Sequence, residues 1–425
     1  MKKKKAPLVR RMKEFVKTSV VWGPLDHNLF FTIIFLNVYG IIMVYSASYN
    51  NSITKNYSYF MNNQLKNVIF GFVIMIVASY VNYHRIVRLG WGWFWLLAAV
   101  AIIAALKTPL AHSELGATRW IKLGPVSFQA AAPIKAAIII FFAYYVSYWG
   151  LNRWYNQLLA CLLAIALLGF LFFFSNNLST VIVLFCICAV IILSSVKKPD
   201  LYWYFLLGLA LIIIAAIFVT VYLLMHQGAE NFRFVRIRAW LHPEEYAADE
   251  GLQAMQARYA IGAGGFWGKG LGQSLIKFKL SYSYNDFILA IICEELGVFG
   301  VIVMMTLFGY LLYRIYKIAQ NAWDIEGKVL AIGVFTQIAL QLLINVMVVT
   351  SVIPTTGVTL PFFSAGGTSV VFLLAELGMV LNVDKYAKER RFFEEAERHV
   401  AQMEQRGGIG AAGWRRRLDS ARTRR

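Results

Sequence analysis

Charged residues are scarce in this chain: they make up 15% of its 425 residues, whereas 59% of the residues are hydrophobic. A soluble domain averages about 25% charged residues, so the composition excludes an ordinary soluble globular protein. Cysteine is also rare, and all four cysteines lie inside apolar runs, at Cys161, Cys186, Cys188 and Cys293. That placement argues against a disulfide framework and against a cysteine metal site.

Internal repeats are missing, and the only biased segments are the two basic ends of the chain. The N-terminal basic run is too far from Asn28 to begin a signal peptide, and no A-x-A cleavage site follows the first apolar run. Although the formal net charge is +19, no basic stretch carries interleaved aromatic residues or a base-reading motif. We therefore predict no nucleic-acid partner and interpret the basic ends as segments that attract anionic membrane lipid.

What the sequence does contain is a series of apolar runs of roughly the 20 residues that cross a bilayer. They predict an all-α polytopic membrane protein with about ten transmembrane helices. The predicted spans are Asn28–Ser48, Val68–Val81, Gly92–Leu106, Ala136–Trp149, Leu158–Phe174, Leu178–Ser195, Tyr202–Met225, Phe287–Tyr313, Val329–Val352 and Thr368–Val383. Lys and Arg in alternate loops then place both termini in the cytoplasm.

This topology predicts three regions: a basic N-terminal segment over residues 1–27, a membrane domain over 28–384 and a basic tail over 385–425. A large extracytoplasmic loop over residues 226–285, between spans 7 and 8, is expected to contain interfacial amphipathic helices. Six glycines within Gly262–Gly272 are expected to prevent a regular helix there. A second loop over residues 351–367 is rich in proline and glycine at membrane depth, which predicts that it lines a polar cavity.

Asp286 lies where the large loop meets an apolar run, and an ionisable group at a membrane boundary is a candidate functional residue. The alternative is a helix cap, because Asn285 and Asp286 are both good N-cap residues. Glu294 and Glu295 follow about two helical turns deeper. A carboxylate in this position can act as a general base.

Cationic residues are predicted to face the same side of the membrane. Arg119 stands beside Trp120, and its guanidinium could bind phosphate oxygens, although an interfacial anchor is the alternative. Lys135 begins the fourth span, where a buried cation requires an anionic partner unless it extends to the surface. The large loop adds Arg233, Arg236, Arg238, Lys269, Lys277 and Lys279. Together they predict an anionic ligand such as a lipid pyrophosphate, whose departure cations or a metal would assist.

The motifs GATRWIKLG with FQ, GFWGKGLGQS, NDFILAIICEELG, TLPFFSAGGTS and MVYSAS resemble those of the SEDS family of RodA and FtsW. The resemblance extends from about Asp26 to Asp384, and MVYSAS with the long basic N-terminus favours FtsW. It implies a ten-span peptidoglycan glycosyltransferase that polymerises lipid II at the outer face of the bacterial cytoplasmic membrane. It also implies a class B penicillin-binding protein as the cross-linking partner.

The resemblance also assigns residues by motif. Asp286 matches the essential aspartate of the family, and Arg119 with Trp120 matches its GxxRW pair. Lys135 matches the lysine that follows its FQPSE-like segment. The SxGG loop is matched by Ser364, Gly366 and Gly367.

This chain departs from the family at two places. FQAAAP replaces FQPSE, so Ala130 and Ala132 stand where proline and glutamate are usual. LSYSYNDF replaces LPEAHTDF, so Ser281 and Tyr282 again replace proline and glutamate. Each change removes an acid near the predicted site, which leaves open whether a divalent cation such as Mg or Mn takes part.

We therefore predict an inverting glycosyl transfer with Asp286 as general base and with Arg119 and Lys135 on the donor pyrophosphate. One alternative is a lipid II flippase, which requires a polar path through the spans, whereas spans five to seven carry no charged residue. Another is a non-catalytic cell-wall scaffold. The motifs do not separate a role in elongation from one in division.

Overall fold

The computed structural model describes residues 21, 23–48, 59–109, 111–114, 117–123, 126–175, 177–196, 232–242, 244–245, 250–278, 285–364, 367–405 and 414–415. The helices in this part of the chain are α1 (His27–Ser48), α2 (Tyr59–Tyr80), α3 (Tyr83–Val87), α4 (Trp93–Ala105), α5 (Ala131–Trp149), α6 (Trp154–Ser175), α7 (Leu178–Ser195), α8 (Phe232–Leu241), α9 (Glu250–Gly264), α10 (Ile288–Gln320), α11 (Ile325–Val349) and α12 (Thr368–Gln405). Single 3-10 turns occupy Leu89–Gly92 and Ile276–Phe278.

Seven of these helices, α1, α2, α5, α6, α7, α10 and α11, are long and apolar enough to cross a membrane. They confirm a mostly helical multi-pass membrane fold. The predicted span Tyr202–Met225 lies outside the described residues, and α4 is shorter than a full span. The total of ten spans therefore stays a prediction. The boundary predicted after residue 384 falls inside the continuous helix α12.

Helix α5 is the most enclosed of these spans, because 78% of its apolar window is buried, compared with 22% for α2. Around α5 pack α4, α7, α11 and α12, and α11 also contacts α10. Small residues allow two helices to approach closely: a Cβ at Gly378 of α12 would lie 2.5 Å from the Met75 carbonyl of α2. Large apolar side chains such as Phe70 and Leu97 remain exposed, as expected of a lipid-facing surface.

The segment between α4 and α5 folds into a small antiparallel sheet that the sequence analysis did not predict. Its strands are β1 (Ala111–Glu114), β2 (Ala117–Leu123) and β3 (Val126–Gln129), with β2 in the centre. β3 leads directly into α5 and contacts α12. The sheet thus connects Arg119 and Trp120 to two membrane helices.

The glycine-rich part of the large loop differs from the prediction. Helix α9 continues through Gly262 and ends at Gly264, so the expectation of no regular helix across Gly262–Gly272 is wrong for its first part. An irregular turn follows, in which Gly265, Gly268 and Gly270 all have positive φ. Glycine costs a helix only about 1 kcal/mol per residue, and the packing of α9 against α10 outweighs that cost.

Helix α11 extends between two ends of the membrane domain. The end at which it starts is here called the Asp324 end, and charged side chains pair directly there. His84 Nε2 lies 2.6 Å from Asp324 Oδ2, and the Tyr83 hydroxyl donates to the same oxygen at 2.8 Å. Arg88 donates to Glu326 Oε1 at 2.8 Å, and so does Ser147 at 3.0 Å. The opposite end, where α5, α10 and α12 begin, is here called the Asp286 end.

Candidate active site

Asp286 lies in a turn over residues 285–287, immediately before α10, and is partly exposed. Phe287 occupies the N-cap position of α10 and makes no side-chain capping bond. Asp286 therefore does not hold the N-cap position, which weakens the interpretation of this residue as a helix cap. Its position just outside the apolar helix suits a carboxylate that meets a substrate at the membrane boundary.

Two buried side chains fix the backbone of this turn. Asn345, fully buried near the end of α11, donates from Nδ2 to the Asp286 carbonyl at 2.9 Å and to the Val358 carbonyl at 3.0 Å. Ser364 Oγ donates to the Asn285 carbonyl at 2.8 Å and accepts from the Leu360 amide at 2.8 Å. The turn is thereby tied to α11 and to the irregular loop before α12, which holds Asp286 in one position.

A polar cavity opens beside the irregular loop, as the sequence predicted. Its empty volume is about 420 Å³, and part of it is open to the exterior. The lining residues come from β3, α5, α11, the irregular loop and α12: Gln129, Ala132, Lys135, Gln337, Gln341, Thr359, Leu360, Pro361, Phe362, Ser364, Ser369, Val370, Phe372 and Leu373. Because Ser364 both lines the cavity and binds the turn before α10, the cavity wall is linked directly to the turn that carries Asp286.

Lys135 lies in this cavity with only 9% of its surface exposed. The sequence predicted that this cation needs an anionic partner, and the structure supplies Glu376 of α12, which interacts with it electrostatically. Glu376 is 1% exposed and accepts a hydrogen bond from Gln337 Nε2 at 2.7 Å. Glu376 and Gln337 were not predicted from the sequence, although polar residues in apolar helices are a signal that could have identified them.

Arg119 and Trp120 lie in the central strand of the small sheet. Trp120 is partly buried and pairs with Gln129 of β3, a residue of the cavity wall. The motif is thus joined to the cavity through the sheet. The Arg119 backbone is part of this strand, and its side chain lies outside what the structure describes.

The remaining motif residues divide between described and undescribed positions. Gly367 has a φ of 53° and ends the irregular loop just before α12, whereas Gly366 lies outside the described residues. Of the departures from the family pattern, Ala130 and Ala132 are buried at the start of α5. Ser281 and Tyr282 lie outside the described residues.

Within the described part of the chain, no group of three or more His, Cys, Asp or Glu could hold a metal.

Two of the cations expected to bind an anionic ligand are instead used within the protein. Lys269 Nζ lies 2.7 Å from Glu294 Oε1, and Lys277 Nζ lies 3.5 Å from Glu295 Oε1. Both acids are fully buried, and each also binds Ser274. This corrects the predicted cationic surface: these pairs fasten the glycine-rich turn to α10, and Arg119 and Lys135 carry the argument for an anion.

Close backbone contacts strengthen the same attachment. A Cβ at Gly268 would lie 2.2 Å from the Glu295 carbonyl, and a Cβ at Gly297, whose φ is 65°, would lie 2.4 Å from the Gly268 amide. Only glycine fits at this approach of the turn to α10. Helix α10 is therefore fastened to the glycine-rich turn, in addition to the hydrogen bonds that hold the turn before it.

Comparison with known proteins agrees with this architecture. The family model of FtsW, RodA and SpoVE, described as cell cycle protein, matches residues 26–389. The chain is 31% identical over 382 residues to a probable peptidoglycan glycosyltransferase FtsW of Trichlorobacter lovleyi, covering 88% of this chain and 96% of the relative. It is 31% identical over 373 residues to the Bacillus subtilis protein of the same name, covering 85% and 91%.

Solved structures show the same fold. The rod shape determining protein RodA of Thermus thermophilus matches with a TM-score of 0.61 at 22% identity, covering 86% of this chain and 98% of that one. A chain from a peptidoglycan synthase complex that coordinates polymerization and crosslinking matches with a TM-score of 0.70 at 22% identity and the same coverage.

Proposed function

Because this chain belongs to the family of the cell cycle proteins FtsW, RodA and SpoVE, we propose that it is a peptidoglycan glycosyltransferase of the bacterial cytoplasmic membrane. Its substrate is lipid II, which it polymerises into glycan strands at the outer face of the membrane. The observation that carries the proposal is the polar cavity with the buried cation Lys135, adjacent to the fixed turn of Asp286.

In the proposed reaction, Asp286 accepts the proton of the acceptor sugar hydroxyl. The hydroxyl oxygen then attacks the anomeric carbon of the donor, and the bond from that carbon to the diphosphate breaks with inversion. Asp286 suits this role because Asn345 and Ser364 fix the backbone of its turn, and Ser364 also lines the cavity. A base held in position contributes about 10²–10⁴ in rate.

Lys135 and Arg119 are proposed to bind the leaving diphosphate. Charged donors aimed at the developing negative charge stabilise the transition state, most strongly where water is excluded. Lys135 fits this requirement, since it is almost completely buried and lines the cavity. The described residues around Asp286 do not offer a metal-binding group, and no step of this proposal depends on a metal.

The proposal also includes a partner and a lipid environment. A class B penicillin-binding protein would cross-link the strand as it leaves, as in a synthase that couples polymerization with crosslinking. Anionic lipid would associate with the basic ends of the chain, whose residues contribute to the net charge of +19. The membrane domain is proposed to end near residue 384, where α12 continues into the cytoplasmic tail.

The decisive experiment measures glycan formed from purified lipid II by the protein with its penicillin-binding partner. We expect Asp286→Asn to lower kcat by about 10²–10⁴-fold, because the base is lost. Asp384→Asn, 16 residues after the start of α12 and toward the Asp324 end, serves as a matched control that removes an aspartate outside the site. Equal glycan from the wild type and Asp286→Asn would overturn the role of Asp286, and movement of lipid II without polymerisation would favour a flippase.

A further inference from the structure

Glu376 is a buried carboxylate that the proposed reaction leaves unused. It lies eight residues after the first residue of α12, about 12 Å along the helix. Gln337 binds one of its oxygens, Oε2, at 2.7 Å. The other oxygen, Oε1, is buried and has no hydrogen-bond partner among the described residues. A carboxylate is costly to bury in this way unless a nearby charge compensates it.

The compensating charge is Lys135 on α5. Lys135 and Gln337 line the same cavity, Gln337 donates a hydrogen bond to Glu376, and the Lys135 and Glu376 charges act electrostatically on each other. The structure records no hydrogen bond or ion pair between them within the part of the chain that it describes, so the attraction acts through space. The Lys135 ammonium therefore has its anionic partner and still lines the cavity, where a ligand can reach it.

Position 132 on α5 holds an alanine, so the carboxylate that balances Lys135 comes from α12. Ala132 and Lys135 are three residues apart on α5, and both line the cavity. Residues at this spacing share one face of a helix. The resemblance described above expects a glutamate at position 132, directly beside the lysine. Alanine cannot balance the ammonium, and the charge that acts on it is Glu376 of the neighbouring helix.

We propose that Glu376 is a positioning residue for Lys135, which takes over from α12 the role that a glutamate at position 132 would have on α5. The inference rests on the proposed function, because its catalytic consequence is the binding of the lipid diphosphate by Lys135. Without a compensating charge, a buried ammonium loses its proton or draws in water. The Glu376 carboxylate favours the charged form of the ammonium, and Gln337 fixes the direction of that carboxylate.

The test removes the carboxylate from α12 and places one on α5 at position 132. In lipid II polymerisation, Glu376→Gln is expected to raise KM about tenfold with a smaller change in kcat, because a weakened cation lowers donor affinity. Adding Ala132→Glu to that variant is expected to restore KM to within about threefold of wild type, and Glu376→Asp should be intermediate. An unchanged KM in Glu376→Gln would overturn the proposal, as would a folded double variant without rescue.

A second comparison does not depend on whether the double variant with Ala132→Glu folds. If Glu376 acts only through Lys135, then Glu376→Gln should have no further effect on KM in a Lys135→Met background. Fully additive effects would overturn the proposal. Thermal unfolding of the wild type, of Glu376→Gln, of Lys135→Met and of the double variant measures the coupling between the two side chains without an activity assay. Non-additive changes in unfolding temperature would support the Lys135–Glu376 pair. If the wild type also formed no glycan, the proposed function would be rejected and the pair would remain.

Discussion

The Asp324 end and the Asp286 end of the membrane domain both bury charged residues, but they arrange them differently. At the Asp324 end the charges touch: His84 lies 2.6 Å from Asp324, and Arg88 lies 2.8 Å from Glu326. At the Asp286 end, Glu376 acts on Lys135 through space, and the lysine lines an open cavity.

This difference separates a structural use of charge from a functional one. Direct pairs satisfy each other and fasten the short helix α3 to the start of α11. The cations of these pairs bind carboxylates of the protein itself instead of a ligand, as Lys269 and Lys277 do at the glycine-rich turn. A cation that is balanced without being covered retains its attraction for a ligand.

The largest effect is expected from Arg88→Met at the Asp324 end. Glu326 is 3% exposed at its side chain, so removal of Arg88 leaves a buried carboxylate without its closest cation. We expect a loss of about 3 kcal/mol in the free energy of unfolding. Glu326→Gln should cost less, because Arg88 is 61% exposed at its side chain and can be solvated. Chemical unfolding in detergent measures both, and equal losses would contradict this asymmetry.

The next effect compares two buried asparagines. Asn345→Ala removes the hydrogen bond to the Asp286 carbonyl and is expected to lower kcat by about 10²-fold, because a small displacement of a catalytic group is costly. Asn382 is the matched control: it is equally buried and bonds the backbone of Ser79 and Tyr83 near the Asp324 end. Asn382→Ala should lower the unfolding temperature and leave the activity per folded molecule unchanged. Equal loss of kcat in both variants would remove the functional distinction between the two ends.

The smallest effect is a pH dependence at the Asp324 end. Burial alone raises the pKa of Asp324, but hydrogen bonds from His84, the Gly327 amide and Tyr83 outweigh it and hold the pKa below its ordinary value of 3.8. A carboxyl group with a lowered pKa stabilises the fold at pH values above that ordinary value. The stabilisation disappears as the pH falls through the lowered pKa.

Asp324→Asn isolates this contribution, since asparagine can still cap α11 through the Gly327 amide. The unfolding temperature of the wild type should exceed that of the variant above about pH 4, and the difference should shrink as the solution becomes more acidic. A difference that stays constant down to pH 2 would show that ionisation of Asp324 contributes nothing.

Much of the site could be predicted from the sequence because its signals are local. The family predicted from the motifs is confirmed by the family model over residues 26–389. The span Leu178–Ser195 was predicted with the exact bounds of α7, since Asn177 caps one end and the apolar run fills the rest. The cavity beside the irregular loop was also predicted, because irregular backbone is unusual at membrane depth. The role of Asp286 stays a prediction.

Other features depend on residues far apart in the chain. The helix through Gly262 and the small sheet before α5 follow from packing that overrides local propensity. Lys269 and Lys277 looked available to a ligand until the fold placed Glu294 and Glu295 beside them.

The sequence by itself determined a helical membrane protein of one family, with a candidate acid and a candidate cation, because composition, hydrophobic runs and motifs are properties of short segments. Only the tertiary structure decided which charges cancel each other and which remain available. Coulomb attraction depends on distance and burial, and both are set when separate helices pack. For this reason Glu376, an acid in an apolar run whose partner the sequence does not reveal, becomes the partner of Lys135 once α12 lies against α5.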